Sequence, residues 1–191
     1  MAMRIFELYL SLLRKYPLKT RMLTAAFIGG LGNYLSQKMA DSNKGVVWRR
    51  VLRFAALQFL LTPVHAVWYP TNADLAARVS ADSPKVQVLV RVLLDQLIYS
   101  PMLNATAIFL AAVLGGESAE GAARNVRGAW ASTQMRSWCV WPFAQLMNYS
   151  VVPAELQIFF ANLVGLLWTI IFSRLLQQQQ QQKQKQGRKK I

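Results

Sequence analysis

Five stretches of this chain contain no Asp, Glu, Lys or Arg: residues 22–37, 54–73, 96–116, 137–154 and 156–173. Together they take up 93 of the 191 residues. A helix rises about 1.5 Å per residue, so about 20 residues cross the roughly 30 Å hydrocarbon core of a bilayer. The stretches are long enough for that, or nearly so. Burying them all in a soluble core would require too many helices that are apolar all round for so small a domain. The expected fold is therefore all-α: a polytopic helical membrane bundle of four to five spans.

Composition narrows the chemistry. With one cysteine (Cys139) and one histidine (His65), a single copy has no internal disulfide and no zinc or two-histidine centre. No metal and no cofactor are expected, and no nucleophile, base and orienting group form a recognisable catalytic set. The chain is read as a non-enzyme. A net charge of +14 raises nucleic acid as a partner. However, the basic residues lie between the uncharged stretches and in the tail, where they meet anionic headgroups or bias orientation. The expected partners are membrane lipids and small solutes, with a homo-oligomer as an option and no nucleic acid.

Residues 1–18 read as an interfacial amphipathic helix. Ile5, Leu8, Tyr9, Leu12, Leu13 and Tyr16 recur at helical spacing, with Arg4, Glu7, Ser11, Arg14 and Lys15 opposite. Pro17 ends it, because the residue before proline avoids the helical region. Residues 19–174 form the transmembrane bundle. In the first uncharged stretch Ala25, Gly29, Gly32 and Ser36 make a small-residue stripe that admits a close neighbour, with packing inside the molecule favoured over self-association. Residues 41–45 form a polar turn, and 175–191 a disordered, glutamine-rich basic tail. The last two uncharged stretches, split only by Glu155 after Pro153, are either a tight hairpin or an interfacial helix followed by a span.

Polar residues at membrane depth are costly, so they turn toward protein or water and become candidates for function. Gln58, Thr62, His65 and Tyr69 share one helical face. Arg91 and Asp95, four apart, are placed to pair along their helix, and Gln96, Ser100 and Asn104 form an adjacent row. Trp138, Trp141, Gln145, Asn148 and Val152 repeat at alternating steps of four and three. These faces either line a hydrated path or fasten the helices to one another, and spacing alone leans toward fastening. The tryptophans suit a headgroup belt. Arg53, Gln58 and Pro63 share their spacing with Arg91, Gln96 and Pro101, which suggests an internal duplication.

The run Trp138, Trp141, Pro142, Gln145, Asn148, Tyr149, Val152 and Pro153, followed by Trp168, resembles the Mpv-seventeen family, the group that includes the twenty-two-kilodalton peroxisomal membrane protein. Pro17, Pro63, His65, Trp68, Tyr69, Asp95, Gln96 and Pro101 add to the resemblance, which spans about residues 5–173. Three positions depart from it: Asn33 follows Gly32 where the family has Asp, Thr62 replaces a glycine before Pro63, and Gln157 stands where an arginine is expected. The resemblance implies an integral protein of the mitochondrial inner membrane, or alternatively the peroxisomal membrane. It also implies a weakly selective channel for small solutes that contributes to metabolite homeostasis. A non-conducting membrane scaffold is the competing expectation.

Overall fold

The computed structural model describes residues 2–40 and 45–171, and every regular element among them is helical. The tail expected over 175–191 and most of the turn at 41–45 lie outside the described residues. The helices are α1 (Ala2–Lys15), α2 (Pro17–Ala40), α3 (Trp48–Val79), α4 (Pro84–Leu94), α5 (Ser100–Leu114), α6 (Ala119–Trp138), α7 (Trp141–Val151) and α8 (Gln157–Ile171). A π-helical segment, Asp95–Tyr99, joins α4 to α5 without interruption.

Pro17 both ends α1 and opens α2, where the first turn has no use for its missing N–H. The hydroxyl of Thr20 donates to the carbonyl of Leu12, which also accepts the Tyr16 N–H at 2.8 Å, so α2 is tied to the last turn of α1. α1 lies against α2 and α8 through buried Leu13 and a Tyr9–Phe159 ring contact, while Leu8, Arg4 and Glu7 stay exposed. At the α2–α3 connection the Gln37 side chain accepts from the Val47 N–H at 2.8 Å and donates to its carbonyl. Ser83 caps α4, with Pro84 in its first turn, and Ser118 caps α6.

α3 runs antiparallel to the continuous rod α4–π–α5. At one end Arg53 donates to the Gly115 carbonyl, and further along Asn72 donates to the Arg91 carbonyl. α6 and α7 run antiparallel to the same rod: Asn104 bonds Gln134 in α6 and Asp95 bonds Gln145 and Tyr149 in α7. α8 folds back on α7, with Ile158 near Tyr149 and Trp168 near Trp141. The last two uncharged stretches are thus a hairpin.

The small-residue stripe of α2 packs within the molecule. A Cβ on Gly32 would meet Thr169 of α8 at 2.9 Å, and one on Gly29 would meet Gln58 of α3 at 2.4 Å. Ala25 and Ser36 are buried beside them.

The fourth uncharged stretch, 137–154, is not a span in itself. The backbone tightens to i−3 bonds at Cys139 and Val140, and α7 is only 11 residues, about 16 Å at the helical rise. It continues α6, whose exposed face carries Arg124, Arg127 and Arg136. Counting charge-free residues mislocated this element because the count does not register the break between α6 and α7. Among the described residues two helices are long and apolar enough to cross a bilayer: Trp48–Val79 and the rod Pro84–Leu114. α2 is 24 residues long but less apolar.

The burial pattern is inverted relative to a soluble domain. Phe27, Val67, Leu97, Met102, Phe143 and Val151 are all at least 65% exposed, while Asn33, Asn72, Asn148, Ser36 and Asp95 are at most 3% exposed. A conventional core persists only locally, where Leu57, Leu61, Ala107, Ile108, Ala129 and Trp168 pack together.

Candidate functional site: a polar cavity around Asp95

The π segment sets the site. Ser100 donates its N–H to the Asp95 carbonyl, an i−5 bond. The next such donor would be the N–H of residue 101, but that residue is proline. The stranded Gln96 carbonyl accepts instead from the Trp138 indole at 3.2 Å, and the Pro101 carbonyl accepts from Trp130 at 2.9 Å. The extra residue in the turn leaves Asp95, Gln96, Tyr99 and Ser100 buried together, which a regular helix of 100° per residue would spread wider.

Asp95 is the hub. Its Oδ1 accepts from Trp68 Nε1 at 2.9 Å and the Tyr149 hydroxyl at 3.1 Å; its Oδ2 accepts from Gln96 Nε2 at 3.1 Å and Gln145 Nε2 at 3.3 Å. Four neutral donors thus occupy the carboxylate's acceptor sites. The pairing with Arg91 expected from the four-residue spacing does not form. Arg91 donates to Gln157 at 3.0 Å and lies 3.9 Å over the Tyr149 ring. Departure from α-helical register at Asp95 turns the carboxyl toward α3 and α7, while Arg91 stays with α8.

Around the hub the α3 face is as read from the sequence, and it continues one step to Asn72. The Tyr69 hydroxyl accepts from Gln145 and Asn148, and Tyr149 accepts from Asn72. His65 Nδ1 bonds the Tyr99 hydroxyl, and Trp68 stacks on Tyr99 with ring centroids 4.6 Å apart. Below Asp95, Ser100, Ser137, Asn104 and Gln134 form a second buried set.

These walls enclose a cavity of about 100 Å³ lined by Gln58, Thr62, His65, Tyr69, Asp95, Tyr99, Ser100, Asn104, Ser137, Trp141, Gln145 and Asn162, with apolar residues including Leu57, Leu61, Leu103 and Trp168. Of the predicted site residues, Gln58, His65, Asp95, Asn104 and Gln145 line it. Gln96 and Asn148 stand behind the lining, and Arg91 lies apart. Four buried amide atoms nearby have no hydrogen-bond partner: Asn72 Oδ1, Gln96 Oε1, Asn148 Oδ1 and Asn162 Nδ2. The tryptophans of this stretch make specific contacts inside the fold. Trp138 bonds the Gln96 carbonyl of the rod, and Trp141 lies edge-on to Trp168 of α8. The duplicated Arg–Gln–Pro spacing is not echoed either, since Pro63 lies in unbroken α-helix and Pro101 follows a π segment.

Sequence reasoning missed Tyr99, Gln134 and Asn162 as site residues. Gln134 extends the series 138, 141, 145, 148 backward by one step, but Arg136 had closed the window before it. Asn162 was visible as a lone amide in an apolar run.

The Mpv17 / PMP22 family profile matches residues 112–173, the part holding α6, α7 and α8. A Dictyostelium discoideum protein named PXMP2/4 family protein 3 is 28% identical over 165 residues, covering 86% of this chain and 87% of its own. Peroxisomal membrane protein 2 of Bos taurus is 29% identical, covering 86% of each. The mitochondrial inner membrane protein Mpv17 of Caenorhabditis elegans is 28% identical, covering 85% and 87%. Over most of its length the chain is similar to proteins that carry Mpv17 and PMP22 family names. No solved structure matches it. The motif residues that carried the Mpv17 / PMP22 resemblance have distinct tasks here. Trp138 and Pro101 manage the π segment, Pro142 opens α7, Gln145, Tyr149 and Trp68 hold Asp95, and Pro153 makes the extended turn into α8.

Proposed function

We propose that this chain is an integral organelle-membrane protein in which the cavity around Asp95 is part of a weakly selective path for small solutes, contributing to metabolite homeostasis and carrying out no catalysis of its own. The observation that carries this reading is the convergence of polar side chains from α3, the rod, α7 and α8 on one interior space. The Asn162 amide in its lining has an unused donor, and Gln96 and Asn148 behind the lining have unused acceptors, which call for water or a polar solute. In this reading α2, α3, the rod and the α6–α7 pair cross the membrane, with α8 returning into it. Lipid meets the exposed apolar faces.

The names of the relatives support two membranes. The Caenorhabditis protein is named for the mitochondrial inner membrane and the bovine one for the peroxisome. The basic amphipathic α1 favours the mitochondrial inner membrane, with the peroxisome as the alternative. Purified protein in planar bilayers should give discrete conductance. Solute flux no faster than through empty vesicles, at every voltage tried, would remove the channel reading.

One observation favours the scaffold alternative: all four acceptor sites of Asp95 are filled from within the protein. Under that reading, loss of the network lowers thermal stability and there is no flux to change.

A further inference from the structure

The sign of the charge inside this protein is opposite to that of its surface. The chain carries +14 overall, but no Lys or Arg is among the residues lining the cavity. Arg91 is held by Gln157 and the Tyr149 ring, and Arg53 by the Gly115 carbonyl at the end of the rod. The one acidic side chain in the lining is Asp95, fixed by neutral donors, while Arg91 acts on it from outside the lining, across the Tyr149 ring. The remaining polar groups are amides and hydroxyls, among them Gln58, Asn104 and the unpartnered Asn162 amide nitrogen. In a confined space with apolar walls and no cation in the lining, an anion sheds its hydration without meeting a countercharge, and the carboxylate adds repulsion that little solvent screens. Neutral hydroxyls and amides find donors and acceptors along the same walls.

We infer that the cavity takes small neutral, hydrogen-bonding solutes, such as short polyols and amides, and excludes carboxylates and phosphate esters of similar size. This rests on the proposed solute path and adds its selectivity. The basic surface concentrates anions at the membrane without giving them passage.

The test is osmotic swelling of vesicles holding the purified full chain, with erythritol compared against glycerol phosphate and empty vesicles subtracted. Erythritol should enter at least about tenfold faster. Asn162→Lys places a cation in the lining, and Asp95→Asn removes the anion. Either variant that still melts cooperatively should bring glycerol phosphate entry toward the erythritol rate. Equal entry of the two solutes into wild-type vesicles, or faster entry of the phosphate ester, overturns the inference while leaving the channel standing. Wild-type selectivity that persists unchanged in both folded variants overturns its electrostatic basis. Entry of neither solute removes the path and this inference together.

Discussion

The indole of Trp138 donates to the carbonyl of Gln96, the acceptor that Pro101 leaves without a backbone partner. The tryptophan and the proline therefore form a functional couple across two helices. Trp138→Phe should lower stability by about 1–2 kcal/mol, the cost of a part-buried carbonyl left unserved. Pro101→Ala returns an N–H to the rod, so the same tryptophan change made in that background should cost less. A double-mutant cycle on detergent melts reads the difference, and equal costs in both backgrounds would show the two residues to be independent.

Replacing Asp95 with Ala should be among the most damaging single changes, at about 3–5 kcal/mol. It strips the common acceptor from Trp68, Tyr149, Gln96 and Gln145 and leaves several buried donors open. Tyr149→Phe removes one donor yet keeps the ring beneath Arg91, so its cost should be nearer about 1 kcal/mol. Thermal melts of the two variants side by side check the order.

The glycines divide by what surrounds them. Gly32→Ala drives a methyl to within 2.9 Å of Thr169 and 3.3 Å of the Leu166 carbonyl, and should cost about 1–3 kcal/mol through overpacking between α2 and α8. Gly128 on α6 has nothing within 4 Å of the added atom. Gly128→Ala should be neutral or stabilise by up to about 1 kcal/mol, the gain in helix propensity.

Cys139, the sole cysteine, is exposed at the α6–α7 joint, level with the middle of the rod. With the bundle in a bilayer, a charged water-soluble maleimide should not label it until detergent is added, whereas a membrane-permeant maleimide should. Rapid labelling of intact vesicles by the charged reagent would place this joint in water and undo the proposed arrangement of spans.

Much of the fold was legible because two periodicities survive in the sequence: the charge-free runs mark the helices, and polar residues at three and four spacing mark their inner faces. That logic placed Gln58, His65, Tyr69, Asp95, Asn104 and Gln145 around one centre. It failed at Asp95 and Arg91, where i,i+4 reasoning presumes an α-helix and the Pro101-linked π segment changes the register. It failed again over 137–154, because a charge count cannot register a break at Cys139–Val140 or an arginine lying along an outer helix face. The Trp138 contact was likewise hidden, since nothing along one chain marks a tryptophan that caps a stray carbonyl.

The π segment and the α6–α7 break stand opposite each other at one level of the molecule. On both sides of the bundle the regular i−4 ladder is already interrupted there, so flexing at that height gives up fewer backbone bonds than flexing anywhere above or below. The irregular turns of these two elements thus lie at the level of Asp95, and bending of either one there moves the surroundings of that side chain.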